Sequence, residues 1–241
     1  MPTRFALEIS VIIPAANEAA ALPDCLARIE RTLSEIIVVD AGSEDESAAI
    51  AHAAGCKVVP ALQRHRARQM NLGAAQARGR ILLFLHADTW LPSDARAKIT
   101  TAIDRQHALG GAFTRRYRSR SLILALTSRL AGLRTRVCGW HLGDQAIFVR
   151  RDVFEGLQGF RDIPIFEDLD FSCRLRTLGW TATLTPPVCS SARRFAQRGP
   201  LCTTWHDLLL TRQFLSGKNP NQLCQPPADR LKALQAYERL S

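Results

Sequence analysis

The sequence predicts an α/β fold with a parallel central sheet flanked by helices and a helical C-terminal extension. Through the first 110 residues, short runs rich in Val and Ile alternate with helical segments of about 10 to 15 residues, which indicates right-handed βαβ units. The apolar runs end at prolines or polar residues, which is typical of strands buried on both faces of a parallel sheet. We therefore expect a Rossmann-type nucleotide-binding half over residues 1–110, with ligands bound beyond the carboxyl ends of its strands.

This first half is expected to contain four strands and the helices that connect them. The strands are predicted at residues 8–14, 36–40, 56–60 and 81–85. A helix should follow Asn17 and run to about residue 33, and a second should begin at a capping box of Ser43 and Glu46 and end at residue 54. Two further helices are predicted at residues 64–79 and 92–109.

The fourth strand leads directly into Asp88, just past its carboxyl end. Asp88 is the first carboxylate after Glu46, and the residues between them carry six Lys or Arg side chains. A lone carboxylate in such a basic surrounding indicates a site for a metal ion and an anionic ligand. The alternative is an N-cap of the next helix, and the residues leave both open.

The composition is that of an ordinary globular protein except for its charge. The 241 residues are 46% hydrophobic and 22% charged, but the formal net charge is +10 and the pI is about 9.9. Arginine supplies nearly all of the positive charge, and its guanidinium matches phosphate and carboxylate groups. A phosphorylated ligand, nucleic acid, an anionic membrane surface and a merely solvated basic surface all remain open.

The cysteines and the apolar runs indicate the cellular compartment in which the protein is expected. The seven cysteines are odd in number and form no C-x-x-C pair, so they predict neither a disulfide framework nor a zinc site. No signal peptide is recognisable, and no apolar run reaches the ~18 residues of a transmembrane helix. We expect a cytoplasmic protein with reduced thiols, and peripheral contact with the inner face of the membrane is an open alternative.

From about residue 110 the sequence changes character. Residues 105–143 contain eight arginines and no Asp or Glu, around an apolar segment at 122–133. A loop leading into a strand is predicted at 144–149, a helix from about Glu167 to Gly179, and a last strand at 181–185. Three acids stand at the start of that helix, where the helix dipole alone would favour them.

The C-terminal extension, residues 201–241, is predicted to hold a helix, a linker at 219–228 and a terminal helix at 230–240. One face of the first of these helices is apolar and consists of Leu201, Trp205, Leu208, Leu209 and Phe214. We expect this face to pack on the domain. Contact with a membrane surface or with a second copy of the chain is the alternative.

Six segments carry a family resemblance. They are VIIPAANE, IIVVDAGSEDES, RARQMNLGAAQARG, LLFLHAD, GDQAIFVRR and FEDLDFSCRLR. In this order they resemble the inverting family-2 glycosyltransferases with a GT-A fold, whose sheet is mixed and mostly parallel. The resemblance spans about residues 8–200 and implies a donor-binding half at 1–110 and an acceptor-binding half at 111–200 of one domain. HAD, GDQAIFVRR and SARRFAQRG also resemble a small bacterial subgroup associated with arsenosugar biosynthesis.

The resemblance implies a binding site for a nucleotide-sugar donor. Its donor-binding residues would be Pro14, Asn17, Glu18, Asp40, Arg68, Asn71, His86, Ala87, Asp88, Arg193 and Arg194. The first three would line the nucleotide pocket, and Asp40 would accept a hydrogen bond from uracil. A role for Glu18 as a first-turn acid remains open.

Arginines and one amide would contact the rest of the nucleotide. By resemblance, Arg68 and Asn71 would approach the base or the phosphates, although Asn71 could instead face solvent. A guanidinium such as that of Arg68 can hold a phosphate through two hydrogen bonds. Arg193 and Arg194 occupy the region in which relatives contact the diphosphate.

The triplet His86-Ala87-Asp88 stands where the family carries its metal-binding D-x-D motif. Asp88 would be the ligand of a divalent metal, Mn²⁺ or Mg²⁺, because these ions favour carboxylate and phosphate oxygens. His86 replaces the first acid of the motif. It would hydrogen-bond the ribose or the uracil, or it would simply cap the end of the strand.

Inverting transfer needs one base to deprotonate the acceptor hydroxyl. By resemblance this base is Asp168, with Glu167 orienting the acceptor or the base, while Asp170 is structural. Asp144 and Gln145 would contact the acceptor or the donor sugar, and loop capping is their alternative role.

The predicted function is therefore metal-assisted inverting transfer of a sugar from a nucleotide diphosphate, UDP by preference, to an acceptor hydroxyl. The acceptor is unidentified; the arginine-rich segment at 115–136 suits an anionic or lipid-linked one, and it could equally form a lid. A nucleic-acid-binding module would explain the charge, but aromatic stacking residues are sparse and we expect no nucleic-acid partner. A catalytically silent sugar-nucleotide-binding protein is the other alternative.

Overall fold

The computed structural model describes residues 8–32, 34–195 and 199–223. Within them the strands are β1 (Ile9–Ala15), β2 (Ser34–Asp40), β3 (Lys57–Pro60), β4 (Ile81–Phe84), β5 (Thr89–Trp90), β6 (Gly110–Tyr117), β7 (Ile147–Arg150) and β8 (Thr181–Ser190). The helices of the same residues are α1 (Leu22–Leu26), α2 (Ser47–Ala53), α3 (Arg66–Gln76), α4 (Ala95–Asp104), α5 (Leu122–Cys138), α6 (Arg151–Gly156), α7 (Glu167–Leu178), α8 (Pro200–Leu215) and α9 (Pro220–Leu223). The terminal helix predicted at 230–240 lies outside the described residues.

These strands form one sheet in the order β3-β2-β1-β4-β7-β6-β8-β5. The first four are mutually parallel, β7 is antiparallel to both of its neighbours, and β6 and β8 are parallel to each other. The short strand β5 is antiparallel to β8 at the sheet edge. The predicted mixed, mostly parallel sheet is confirmed, and the carboxyl ends of β1, β2 and β4 lie at one end of it.

Apolar layers cover both faces of the sheet. In β1, Val11 and Ile13 belong to the layer that α1, α2 and α4 cover, whereas Ile12 belongs to the layer under α3, α6 and α7. Helix α3 lies so close to the sheet that a Cβ on Gly73 would come within 2.5 Å of Ile12 Cγ2. Both faces are therefore buried, as the short apolar runs predicted.

The length of α1 and the N-terminal cap of α2 differ from the prediction. Helix α1 spans only Leu22–Leu26 instead of continuing to residue 33, because the chain turns after it and returns Ile29 to the core. The capping box is wrong as well. The Ser43 hydroxyl hydrogen-bonds the Asp40 carboxylate, and Glu46 precedes α2 without a side-chain cap.

The strands of the second half also differ. The sequence does not predict β6, and β8 runs past the predicted end at residue 185 to Ser190. The register between β6 and β8 shifts between Phe113 and Arg115, so the Pro186-Pro187 pair lies in a bulge outside the ladder. Proline is tolerated in a sheet at such bulges, which is why the two prolines do not end the strand.

The expectation that the apolar face of the C-terminal helix packs on the domain is wrong. In α8, the side chains of Leu201, Trp205 and Leu208 are 58% to 67% exposed. Of the predicted face, Phe214 makes a ring stack with Phe166, with centroids 5.0 Å apart. Helix α8 therefore presents most of its apolar side chains to the surroundings.

Candidate active site

Segments of the first half of the chain, predicted to bind the donor, and of the second half, predicted to bind the acceptor, meet at the carboxyl ends of the parallel strands. The donor side contributes the residues that follow β1, β2 and β4. The acceptor side contributes residues 139–145, between α5 and β7, and the first turn of α7. Ligands of open α/β sheets bind at this position.

The loops after β1 and β2 are held together by polar contacts. The backbone N–H of Ser43 donates to Asp40 at 3.0 Å, and the Ser43 hydroxyl accepts from the Asn17 N–H at 2.9 Å. The side-chain Oδ1 of Asn17 accepts from the Glu44 N–H at 2.9 Å. Asn17 and Asp40, together with Pro14 near the end of β1, thus lie on adjacent strand ends.

A second cluster joins Glu18, Asp88 and Arg193. The Arg193 guanidinium hydrogen-bonds the Glu18 carboxylate, and its Nε lies 3.4 Å from Asp88 Oδ2. Burial raises the pKa of Asp88; the charge of Arg193 opposes this shift and that of Glu18 adds to it. Among the described residues, buried Oε2 of Glu18 has no hydrogen-bond partner.

Asp88 is not an N-cap, so that alternative is wrong. Helix α4 begins at Ala95, with Asp94 in the N-cap position, and Asp88 lies before β5. Its neighbour Ala87 is buried in the core. The core thus fixes the triplet on one side while the Asp88 carboxylate reaches the cluster with Glu18 and Arg193.

An aromatic stack supports the Asp88 backbone. Arg118 donates to the Asp88 carbonyl oxygen at 3.0 Å and lies 3.9 Å from the centre of the Trp90 ring. Arg28 lies 4.1 Å from the same ring. Cation–π contacts of this kind hold Arg118 in place while it binds the backbone.

His86 lies on the acceptor side of the triplet. A Cβ on Gly143 would be 2.7 Å from His86 Nε2 and 3.2 Å from Asp168 Oδ2, so both side chains contact the same small space. Burial lowers the pKa of His86 to about 3, and the charge of Arg66 lowers it further while that of Asp144 raises it. The imidazole is therefore neutral at pH 7. Its buried Nε2 has no hydrogen-bond partner in the described part of the chain.

The two predicted catalytic acids lie at the start of α7. Burial raises the pKa of Glu167 to about 7, with the charge of Asp168 adding to the shift and Arg66 opposing it. Burial also raises the pKa of Asp168, although the N–H groups of Gly143 and Leu169 donate to its carboxylate. This pair can therefore exchange a proton near neutral pH, as a general base must.

The predicted acceptor residues have different surroundings. Asp144 forms an ion pair with Arg115 and accepts from the Tyr117 hydroxyl at 3.2 Å. Gln145 is fully buried; its amide nitrogen donates to the Phe113 carbonyl and its oxygen accepts from the Leu142 N–H. Asp144 thus lies beside His86 and Asp168, whereas the Gln145 amide is engaged inside the protein.

Three predicted donor-binding residues have partners away from these clusters. Arg68 forms a two-pronged pair with exposed Asp162, at 2.7 and 2.8 Å. Asn71 donates to the Phe160 carbonyl and accepts from the Phe160 N–H, which ties α3 to the loop before α7. Arg194 forms an ion pair with Asp207 of α8.

Sequence reasoning missed Arg66, whose Nη1 lies 3.5 Å from Glu167 Oε1. It also missed Gly143 and the stack of Trp90 with two arginines. Arg66 is two residues from the predicted Arg68 on the same basic helix, and the acid-free composition of residues 105–143 was a signal for Arg115 and Arg118. Neither signal identifies the partner of a given arginine.

Three further features are clear within the described ranges 8–32, 34–195 and 199–223. The six cysteines there are free thiols. No helix of those ranges combines the length and the apolarity needed to cross a bilayer. They also contain no group of three or more His, Cys, Asp or Glu arranged to hold a metal ion by protein ligands alone.

The family model described as Glycosyl transferase family 2 matches residues 10–155, more than half of the chain. Among curated proteins, undecaprenyl-phosphate 4-deoxy-4-formamido-L-arabinose transferase of Pseudomonas paraeruginosa is 38% identical over 99 residues, which is 36% of this chain and 29% of that protein. A PGL/p-HBAD biosynthesis glycosyltransferase of Mycobacterium bovis is 38% identical over 104 residues, 39% of this chain and 41% of that protein. The chain spans less than half the length of these relatives.

Solved structures share the fold at low sequence identity. The mannosyltransferase PcManGT of Pyrobaculum calidifontis, in complex with GDP-Man and Mn²⁺, has a TM-score of 0.64 at 20% identity over 92% of this chain and 70% of that chain. TarS of S. aureus in complex with UDP has a TM-score of 0.64 at 17% identity, over 77% of this chain and 61% of that chain.

Glucosyl-3-phosphoglycerate synthase of Mycobacterium tuberculosis, with Mn²⁺, UDP and glucosyl-3-phosphoglycerate, has a TM-score of 0.53 at 21% identity. That match covers 77% of this chain and 70% of that one. The fold is thus that of the GT-A glycosyltransferases. The family match, together with the acids and the basic clusters at the strand ends, shows that the chain belongs to glycosyl transferase family 2.

Proposed function

We propose that the protein transfers a sugar, with inversion, from a nucleotide diphosphate to an acceptor hydroxyl, with Asp168 as general base. The observation that carries this proposal is the position of Asp168. Its carboxylate contacts the same space beside Gly143 as His86, two residues from Asp88. The proposed base at the start of α7 thus lies opposite His86 of the predicted donor-binding half, with only the space beside Gly143 between them.

The acid pair suits its proposed task. Because burial raises the pKa of both Asp168 and Glu167, the pair accepts a proton more readily than exposed carboxylates do. Asp168 would take the proton of the acceptor hydroxyl as that oxygen attacks the anomeric carbon, opposite the leaving diphosphate. Glu167 would orient the base, together with Arg66.

The neutral His86 has a position that favours a contact with the transferred sugar or the acceptor. Its neighbours are Gly143, Asp144 and the base rather than Asp40. Its unpartnered Nε2 could donate to a sugar hydroxyl or accept from one, without adding charge beside Asp168. Contact with uracil or ribose is therefore not part of our proposal.

A divalent cation, Mn²⁺ or Mg²⁺, fits beside Asp88. Such ions bind through one or two carboxylates together with substrate phosphates, and buried Oε2 of Glu18, unpartnered among the described residues, adds negative charge there. Asp88 would hold the ion. When bound, it would offset the charge that develops on the leaving diphosphate. Arg193 would contact the same phosphates, because a guanidinium suits them and it already reaches both acids.

The nucleotide would bind over the ends of β1 and β2. Asn17 and nearly buried Asp40 lie there on adjacent strands, where a carboxylate can accept from the ring N–H of uracil. UDP is the proposed donor nucleotide, and GDP is the comparison to test against it. Resemblance to the arsenosugar-associated subgroup and a cytoplasmic location remain predictions from the sequence.

A thermal-shift screen tests donor class and metal together. UDP or a UDP-sugar with Mn²⁺ should raise Tm, GDP should raise it less, and Asp88→Ala should abolish the metal-dependent part. Asp168→Asn should keep the UDP shift and lower turnover by about 10²- to 10⁴-fold. No stabilisation by any nucleotide or nucleotide sugar would contradict the proposal, and an NMR assignment of the product anomer would test inversion.

We also propose that α5 and α8 bind an anionic membrane surface. The two helices contact each other. Helix α5 exposes Leu126, Leu130 and Leu133 by 57% to 60%, at the spacing of one helical face. The same helix carries exposed Arg129 and Arg136 and no acid. Leucines flanked by arginines are typical of helices that lie in the interface of an anionic bilayer, and binding to vesicles tests this proposal.

A further inference from the structure

Arg134 is a half-buried charge on the inner side of α5. Its Nε and Nη2 atoms are buried and have no hydrogen-bond partner in the described residues. Burial lowers the pKa of this guanidinium, and the charge of Arg115 lowers it further. Buried N–H donors without a partner are unfavourable, so the inner edge of this guanidinium is suited to an acceptor from outside the described residues.

Arg115 on β6 is only partly satisfied. It pairs with Asp144, but its buried Nε has no partner within the part of the chain that the structure describes. Asp144 accepts from both Arg115 and the Tyr117 hydroxyl through Oδ2, while its buried Oδ1 has no partner among the described residues. Asp144 therefore leaves the Nε of Arg115 without a hydrogen bond.

His141 follows α5 in the chain and adds no charge. It is fully buried, and burial lowers its pKa to about 4, with the charge of Arg134 lowering it further. Both ring nitrogens are unpartnered among the residues described. Helix α5 packs on β6, with a Cβ on Gly132 3.7 Å from Thr114 Cγ2, so the unpartnered N–H donors of Arg134 and Arg115 lie on adjoining parts of the two elements.

We infer that Arg115 and Arg134 form a subsite for the phosphate group of a phosphorylated acceptor. The two guanidiniums leave three buried nitrogen atoms without partners among the described residues, which exceeds the two that a single carboxylate takes in a fork. A phosphate monoester offers three acceptor oxygens and nearly two negative charges. It would accept the hydrogen bonds that these guanidiniums do not make within the described residues.

The position of the subsite fits an acceptor. The charges of Asp144 and Asp168 both act on Arg134, so the proposed base is near it. A molecule anchored by its phosphate there could present a hydroxyl to Asp168. This inference rests on the proposed transfer reaction and names the class of its acceptor.

Calorimetric titration with inorganic phosphate tests the subsite. The protein is first saturated with UDP and Mg²⁺, so that the diphosphate region is occupied. Phosphate should bind, and Arg134→Gln should weaken it by about tenfold or more, as expected for a charge-assisted hydrogen bond. Arg105→Gln removes the same charge from an exposed position at the end of α4, outside both proposed binding surfaces, and should leave the affinity unchanged.

Arg134→Lys protects the test against misfolding, because it keeps the charge and should retain part of the affinity. Equal weakening by Arg105→Gln, or no weakening by Arg134→Gln, would overturn the inference. If UDP fails to bind, the proposed function fails. In that case, titration of phosphate into the protein and its variants without UDP still tests whether the phosphate subsite exists.

A competition arm identifies the source of the phosphate. Butyl phosphate represents a soluble acceptor, and vesicles that contain phosphatidic acid represent a lipid one. Stronger displacement of inorganic phosphate by butyl phosphate assigns a soluble phosphoester, and stronger displacement by the vesicles assigns a lipid phosphate. Displacement by neither overturns the inference.

Discussion

Glu167 is buried beside a second carboxylate, and this makes its ionisation unfavourable in the folded state. Its pKa is raised from 4.5 to about 7, chiefly by burial. The folded protein therefore binds a proton more tightly there than the unfolded chain does. The corresponding stability is fully present below pH 4.5 and is lost as the pH rises through about 7.

Glu167→Gln should therefore stabilise the protein at pH 8 and much less at pH 5. Glutamine carries no charge to desolvate, and the gain at pH 8 should be on the order of 1–3 kcal/mol. Thermal unfolding at the two pH values measures this difference. A less stable variant at pH 8 would mean that the ion pair with Arg66 outweighs the burial.

Gly143 is the residue at which His86 and Asp168 meet. Gly143→Ala would place a Cβ 2.7 Å from His86 Nε2, so one of the two side chains must move. We expect turnover to fall by about 10²-fold, as displacements near 1 Å do in active sites, while UDP binding is kept. Gly156→Ala is the control, because a Cβ there has no atom within 4 Å among the described residues. Equal activity of the two variants would contradict the assigned site.

At the scale of elements, α8 supports the first turn of α7. Phe166, directly before Glu167, has a φ of 64°, which is costly for a bulky residue. Its ring stacks on Phe214 of α8 at 5.0 Å. The contact therefore holds a strained backbone beside the proposed catalytic pair, Glu167 and Asp168.

Phe214→Ala should release this constraint. We expect turnover to drop by about tenfold, which corresponds to about 1.4 kcal/mol, within the usual range for one strained residue. UDP affinity should not change, because the proposed donor contacts lie on other elements. Leu215→Ala, at an exposed neighbouring position, is the control for a general effect on α8. A loss of UDP affinity in the Phe214 variant would point to a wider collapse instead.

At the scale of the whole molecule, acidic residues balance the arginines unevenly along the chain. Many arginines of the first half form ion pairs, such as Arg80 with Asp104 and Arg96 with Glu30. The segment at 105–143 contains no acid of its own, and its helix α5 exposes arginines and leucines together. The net charge of +10 therefore has its least balanced part next to the acceptor side.

If α5 and α8 bind an anionic membrane surface, the protein should bind phosphatidylglycerol vesicles more strongly than phosphatidylcholine vesicles. This binding should weaken as the NaCl concentration rises from about 0.1 to 0.5 M, because salt screens the charges of the arginines. Replacing Leu126, Leu130 and Leu133 together by serine should abolish co-sedimentation of the protein with the vesicles. Serine at exposed Leu62 and Leu178, outside both helices, is the control. If the triple variant instead dissociates a dimer and vesicle binding is absent, this face belongs to a second copy.

Much of the donor half could be predicted from local pattern. The apolar runs before Asp40 and Asp88 end where their strands end, because a strand buried on both faces must be continuously apolar. Strand β6 escaped prediction because it is partly polar. The capping box of Ser43 and Glu46 failed because the buried Asp40 carboxylate takes the Ser43 hydroxyl.

The partners of the arginines could not be predicted in the same way. Arg66 and Arg68 are two residues apart on α3, yet the first reaches Glu167 and the second pairs with Asp162. Side chains two residues apart on a helix point about 200° away from each other. Only the placement of neighbouring elements decides which group each side chain contacts.

Sequence alone specified the fold class, the order of the motifs and the acids that end the strands, because these depend on local apolar pattern and chain order. Tertiary structure alone brought His86 beside Asp168 and left two nitrogens of Arg134 buried without a hydrogen-bond partner among the described residues. Those relations join segments far apart in the chain. Burial, which sets the pKa values of Glu167 and His86, exists only once these segments have come together.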